Sequence, residues 1–127
     1  MNALGRHILA EYYSCDINAL DNTTFLENGM RDAVVASGAT IIDTKFHQFS
    51  PYGVSGVIVI AESHMTIHTW PEYGYAAIDF FTCGDRVDPW KAFDHMKHIL
   101  KPGNYSTREI QRGLLTQESG KLIEAHL

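Results

Sequence analysis

Short apolar segments separated by glycine and proline dominate residues 40–84, and no other feature constrains the fold of this chain as strongly. Runs of branched and aromatic residues between turn-forming residues are typical of consecutive β-strands. We predict strands at 40–49, 57–61 and 73–82, with Pro51, Gly53 and Gly56 in the loop between the first two. Because short connections join antiparallel neighbours, a mostly antiparallel sheet is expected.

The segment between these strands, SHMTIHTW at 63–70, alternates apolar and polar residues. Met65 and Ile67 alternate with His64, Thr66 and His68 before Pro71 ends the pattern. If the segment is a strand, side chains two residues apart share a face, and both histidines then point the same way.

Two amphipathic helices flank the strand region. The first has Asp21 or Asn22 as its cap and ends at Gly38, where a left-handed residue is easily accommodated. The second has Asp88 as its cap and Pro89 at its first position, and it ends before Pro102. With a first strand at 6–14 and a last one after the second helix, the order is β-α-β-β-β-α-β. This order predicts an α+β fold with both helices packed on one face of the sheet.

Composition indicates one domain spanning 1–127, since 127 residues with 45% apolar content can bury a core. The net charge of -5 argues against a nonspecific nucleic-acid binder and favours a small soluble ligand. We find no secretion signal and no apolar run of membrane-spanning length, so we expect a cytoplasmic protein without membrane partners. The polar residues 113–127 are expected to form a loosely attached tail.

The densest cluster of reactive residue types lies at 53–84. His64 and His68 could bind a metal together with Cys83, His95 or His98, but their spacing is looser than that of zinc sites, so we expect no metal. Cys83 and His68 could instead form a nucleophile pair, although no protease signature surrounds Cys83. By residue type alone, the histidines would be ordinary strand residues and Cys83 a structural thiol.

The order of the residues is more specific than their types. The segment ESHMTIHTWPEYGYAAIDFFTCG at 62–84 closely resembles the signature of prokaryotic S-adenosylmethionine decarboxylases, the short pyruvoyl-dependent type. The resemblance extends to GRHILAEYY near the start, to SGATIIDTKFHQFSPYGVSGVIVIAESH in the middle and to VDPWKAF in the second helix. It therefore covers nearly the whole chain up to about residue 100.

The resemblance implies a proenzyme that cleaves itself between Glu62 and Ser63. The hydroxyl of Ser63 would attack the Glu62 carbonyl, and β-elimination would leave a pyruvoyl group at position 63, which forms a Schiff base with the substrate amine. The products would be chains 1–62 and 63–127. By the same resemblance, His68 and Ser55 serve in processing, and Cys83 donates the proton that completes decarboxylation.

Substrate contacts are also implied by the resemblance. Phe49 and His68 would flank the adenine, Glu72 would bind the ribose hydroxyls, and Trp70 would offer its ring to the sulfonium cation. Members of this family form dimers whose sites draw on both subunits, and we expect a dimer here.

Two alternatives remain open at this stage. A pyruvoyl decarboxylase of this fold could act on arginine or ornithine, but Phe49, Trp70 and Glu72 all match the nucleoside-binding pattern. An unprocessed, non-catalytic relative would keep Ser63 as an ordinary serine and serve only to bind a ligand.

Overall fold

A computed structural model describes residues 2–115 of the chain. The elements, in chain order, are β1 (Asn2–Tyr13), α1 (Ile17–Leu20), α2 (Thr23–Ser37), β2 (Ile41–Gln48), β3 (Val54–Ile60), β4 (Ser63–Trp70), β5 (Tyr75–Thr82), α3 (Pro89–Leu100) and β6 (Asn104–Leu115). A single 3₁₀ turn, Pro71–Tyr73, lies between β4 and β5.

The strands form one six-stranded sheet in the order β2-β3-β4-β5-β1-β6. Every neighbouring pair is antiparallel. The β3–β4 hairpin pairs Ile60 with Ser63 beside its turn and Ser55 with His68 at its open end. The hairpin thus fixes which of these residues are neighbours.

Helices α2 and α3 pack against each other and cover one face of the sheet. Ile8, Ile67 and Phe80 are fully buried beneath them. On β4 the buried residues alternate with partly or fully exposed ones, His64, Thr66, His68 and Trp70, which lie on the opposite face. No described helix packs on that second face, which we call the open face.

The predicted α+β class, the antiparallel sheet and the packing of both helices on one face are confirmed. Asn22 caps α2 by accepting a hydrogen bond from the backbone N–H of Phe25, and Gly38 ends the helix with φ +88°. Asp88 caps α3 in the same way. Both histidines of β4 face one side, as predicted.

Three details of the sequence prediction are wrong. The predicted order has three strands between the helices, whereas the structure has four, because 63–70 forms a complete strand. Gly56 belongs to β3 and not to a loop. Glycine fits this strand position because the ring of Phe46 fills the space that a side chain would need. A Cβ on Gly56 would lie 2.2 Å from that ring. The polar stretch after Cys15 contains the one-turn helix α1, capped by the Asp16 side chain.

The predicted tail is also partly wrong. Residues up to Leu115 belong to β6, which pairs with β1 along its length. The rest of the predicted tail, 116–127, lies outside the described residues. Within the described range, the helices are too short or too polar to cross a membrane.

Candidate active site

The turn between β3 and β4 presents the peptide bond that joins Glu62 to Ser63. Ser63 has a φ of +144°, a region that residues with a side chain rarely adopt, so the backbone is strained here. The carbonyl oxygen of Glu62 accepts a hydrogen bond from the backbone N–H of Cys83 at 3.1 Å and another from the Cys83 thiol at 3.4 Å. Both donors make the Glu62 carbonyl carbon a better target for a nucleophile.

The side chain of Glu62 has contacts of its own, separate from the hydrogen bonds that Cys83 donates to the Glu62 carbonyl. Only 8% of the residue is exposed, and its carboxylate accepts a hydrogen bond from the backbone N–H of Thr40 at 3.3 Å. The carbonyl of Thr40 in turn accepts from the N–H of Ala61 at 2.9 Å. Arg86 lies 3.9 Å from the second carboxylate oxygen. Hydrogen bonds therefore hold residues 61 and 62 against Thr40, which directly precedes β2.

A second group of predicted residues lies at the other end of the hairpin. Ser55 and His68 are direct cross-strand partners, and the Ser55 hydroxyl lies 2.8 Å from Nδ1 of His68. Trp70 ends β4, and Glu72 lies in the 3₁₀ turn that follows it. Phe49 comes from the loop after β2, where the ring of His47 packs edge-on against it at 4.5 Å.

These residues surround one open cavity of about 310 Å³, lined by Phe49, Tyr52, Ser55, His68, Trp70 and Glu72. The rings of Phe49 and Trp70 are 47% and 41% exposed, so both can contact a ligand. The structure thus brings together every residue that was predicted to bind substrate. This arrangement offers aromatic faces for a base and a carboxylate for a diol.

The two groups do not meet within one protomer. Ser63 and His68 lie five positions apart on β4, which separates their Cα atoms by about 17 Å. Cys83 follows the strand residue that pairs with Ser63 and belongs to the same end. The turn at Glu62 and Ser63 and this cavity therefore lie at opposite ends of β4.

The same placement separates the members of the alternative sites. Within one chain, Cys83 and His68 do not form a nucleophile pair, because they lie at opposite ends of the β4–β5 pair. His64 and His68 share a face, but four positions on a strand separate them by about 13 Å. His95 and His98 belong to α3, on the other face of the sheet. The structure does not bring the proposed metal ligands together.

The structure instead groups His7 and His64 with Asp79, a cluster that the sequence reasoning missed. Nε2 of His7 lies 2.5 Å from Oδ2 of Asp79, and Nε2 of His64 lies 3.5 Å from the same oxygen. Arg112 donates to Nδ1 of His7 at 3.0 Å, so the proton of a neutral His7 is on Nε2 and points at Asp79. That nitrogen is then a donor and offers no lone pair to a metal.

The carboxylate of Asp79 is the centre of this cluster. Burial raises the pKa of Asp79, but hydrogen bonds from Thr66 and His7 and the charge of His64 lower it more, so that its pKa lies below the ordinary value. The cluster depends on the pairing of β5 with both β1 and β4, which brings His7 and His64 beside Asp79 and which a single sequence does not show.

An aromatic row crosses the open face beside the cavity that Phe49 and Trp70 line. The ring of Tyr75 stacks between those of Trp70, at 5.2 Å, and Tyr13, at 5.4 Å. Its hydroxyl donates to Glu11 at 2.7 Å. Tyr75 therefore covers one face of Trp70, and among the described residues no other aromatic ring covers the second face.

Comparison with known proteins adds independent evidence. A family model described as S-adenosylmethionine decarboxylase matches residues 6–113. An S-adenosylmethionine decarboxylase proenzyme of Thermotoga maritima is 60% identical over 113 residues, which cover 89% of this chain and 87% of that protein. A proenzyme of the same description from Caldicellulosiruptor saccharolyticus is 54% identical over 117 residues, covering 92% and 94% of the two chains.

The fold agrees with these sequence matches. The crystal structure of the adenosylmethionine decarboxylase from Aquifex aeolicus superposes on this chain with a TM-score of 0.87 at 36% identity, covering 95% of this chain and 100% of that one. The family model covers most of the chain, and the relatives match it over nearly their full length. This chain belongs to the S-adenosylmethionine decarboxylase family.

Proposed function

We propose that this chain is the proenzyme of a cytoplasmic decarboxylase that cuts itself between Glu62 and Ser63 and then acts on S-adenosyl-L-methionine. The reaction releases the substrate carboxyl group as CO2 and yields S-adenosylmethioninamine, the aminopropyl donor for spermidine synthesis. The observation that carries the proposal is the pair of hydrogen bonds from Cys83 to the Glu62 carbonyl, next to the strained backbone of Ser63.

These contacts suit an acyl shift at the turn. Attack by Oγ of Ser63 on the Glu62 carbonyl carbon places negative charge on the oxygen that Cys83 already holds, and the oxygen develops its charge without moving. The bond to the Ser63 nitrogen then breaks, and an ester replaces the amide. Removal of the Ser63 α-proton expels Glu62 as a carboxylate, and hydrolysis releases the nitrogen as ammonia to leave a pyruvoyl group.

The pyruvoyl group, once formed, supplies a ketone that binds the substrate amine and withdraws electrons as CO2 leaves. Cys83 lies beside that position and is the proton donor for the former α-carbon of the substrate. Phe49 and His68 would hold the adenine between them, and Glu72 would accept hydrogen bonds from the ribose. The free face of Trp70 would attract the sulfonium cation, by about 0.5–2 kcal/mol.

The separation of these two groups supports a dimer. About 17 Å of strand lies between Ser63 and His68, a distance that one substrate cannot bridge while also touching Cys83 and Glu72 closely. A second copy related by a two-fold axis would place its substrate cavity against the cleavage turn of the first, and the reverse. His68 and Ser55 would then serve the processing of the partner protomer.

Cleavage would not release the two products from each other. The pairs β3–β4, β1–β5 and β1–β6 each join a strand of 1–62 to a strand of 63–127. The cut therefore leaves a sheet held by hydrogen bonds between both pieces.

A decarboxylation assay tests the proposal. Purified protein is incubated with carboxyl-labelled S-adenosyl-L-methionine, arginine or ornithine at equal concentrations, and released CO2 is measured. We expect release from S-adenosyl-L-methionine alone. Release from arginine or ornithine in preference would contradict the assignment of the cavity to a nucleoside.

A further inference from the structure

We propose that the carboxylate which self-cleavage creates on Glu62 stays beside Cys83 and keeps its sulfur protonated. The cut that makes the electron-withdrawing group would thereby also prepare the proton donor. This inference rests on the proposed function and assigns Glu62 a positioning role that acts through Cys83.

The covalent balance of cleavage gives the first step. Elimination leaves the carbonyl carbon of Glu62 as a free carboxylate, which carries one negative charge. The nitrogen of Ser63, which would otherwise become a positive amine, leaves as ammonia. Cleavage therefore adds one negative charge to this end of the sheet and no positive charge.

The position of that charge follows from the uncleaved geometry. The Glu62 carbonyl oxygen, 3.4 Å from Sγ of Cys83 and 3.1 Å from its backbone nitrogen, becomes one of the two carboxylate oxygens. Both hydrogen bonds strengthen when the acceptor becomes charged. No rearrangement is needed to bring the new charge to the thiol.

The contacts of Glu62 explain why the new chain end would remain there. Its buried side chain accepts from the N–H of Thr40, and Ala61 donates to the carbonyl of Thr40. Both contacts lie within residues 1–62, so cleavage breaks neither. The side chain thus holds the end of the first piece against Cys83 of the second.

A negative charge at this distance disfavours the thiolate. A carboxylate raises the free-energy cost of a second negative charge beside it, and a hydrogen bond from S–H to the carboxylate favours the protonated sulfur. A proton donor must carry its proton when the former α-carbon needs it. Cleavage neither creates nor removes any other ionisable group around Cys83. These groups are the Glu62 side chain, Asp85 and Arg86 in the loop, His64 on β4, and Arg6 on β1 with its partner Glu109.

The test compares the cleaved chain with a Ser63→Ala variant, both carrying Cys15→Ala so that Cys83 is the single thiol among the described residues. The rate of alkylation by iodoacetamide is measured against pH, with intact mass spectrometry to count cleaved and uncleaved chains separately. The midpoint of the pH profile is compared, because it depends on thiolate formation and not on access.

We expect the midpoint to lie about one pH unit higher in the cleaved chain, which means about tenfold less thiolate at a pH below both midpoints. The alkaline limb of kcat should coincide with the higher midpoint. Equal midpoints, or a lower one after cleavage, would overturn the inference and leave the proposed function standing. A parent chain that stays uncleaved would overturn both.

A second pair of variants tests the holding role of Glu62. Glu62→Ala, which can still be cleaved at Ser63, is compared with the double variant Glu62→Ala/Ser63→Ala, which cannot. The difference between their alkylation midpoints is the shift that cleavage causes when the side-chain carboxylate is missing. We expect that change to shrink to well under one pH unit, since the chain end is no longer fastened to Thr40. A shift as large as in the parent would show that the side chain does not hold the chain end.

Discussion

Ser63 and His68 lie on the same strand, five positions and about 17 Å apart, and both matter to the chemistry proposed for this chain. The cleavage turn with Cys83 lies at one end of the open face, and the cavity with Glu72 lies at the other. Under the proposed function, one chain therefore carries two half-sites, and complete sites would form between two protomers.

Two impaired variants should restore each other's activity, measured at a substrate concentration well below saturation, if the half-sites combine across a dimer. Ser63→Ala removes the cleavage residue, and Glu72→Ala weakens substrate binding by about 10- to 100-fold through loss of a charged hydrogen-bond acceptor. A mixed dimer still contains one intact pair of half-sites. Random assembly after co-expression should therefore recover about a quarter of the parent activity.

The control for this experiment is a mixture of the two variants expressed separately and never unfolded together. Activity in the co-expressed sample no greater than the sum of the separate variants would contradict a shared site. The oligomeric state is measured on the same samples by light scattering.

Cys83→Ala should separate processing from turnover. The variant keeps the backbone N–H that holds the Glu62 carbonyl but loses the thiol. We expect slower but measurable cleavage, and a kcat reduced by about 10²- to 10⁴-fold because the proton donor is gone. A gel time course and steady-state assays measure the two effects.

The matched control is Cys15→Ala, since Cys15 is buried near α1 and burial raises its pKa to about 11. This variant should cleave and turn over like the parent. If Cys83→Ala also kept the parent kcat, Cys83 would not be the proton donor.

Asp79→Asn should change the pH dependence of stability. The pKa of Asp79 is lower in the folded chain than in the unfolded one, so its ionised form stabilises the fold above about pH 4, and this contribution is lost as pH falls through the folded pKa. We expect the variant to lose about 1–2 kcal/mol of unfolding free energy at neutral pH and much less in acid. Urea denaturation at fixed protein concentration measures both. Asp32→Asn, at an exposed residue, is the control. If Asp79→Asn lost the same unfolding free energy at neutral and at acid pH, the ionic role of Asp79 would be contradicted.

Local sequence signals predicted most of the fold. The caps at Asn22 and Asp88 and the left-handed Gly38 define helix ends through contacts within a few residues, so sequence alone locates them. Gly56 misled the prediction because its place in β3 depends on Phe46, a residue on the neighbouring strand. The end of β6, residues 113–115, was missed because only its pairing with the start of β1 defines it.

Residue order predicted which residues form the candidate site, but not that they lie in two separate groups on one chain. Ser55, His68, Trp70 and Glu72 are close in sequence or paired in one hairpin, and the structure brings them together. The distance between Ser63 and His68 depends on β4 being fully extended, which periodicity suggested without fixing the register. The cluster of His7, His64 and Asp79 needed the pairing of β1 with β5, to which a single sequence gives no direct access.

Intact mass spectrometry of the freshly purified chain tests the central claim most directly. We predict two polypeptides, residues 1–62 and 63–127, with the second carrying a pyruvoyl group in place of Ser63 and therefore lacking the serine nitrogen. The Ser63→Ala variant should give one full-length chain. A parent protein that remains one covalent chain with an unmodified serine, and still decarboxylates its substrate, would contradict the account.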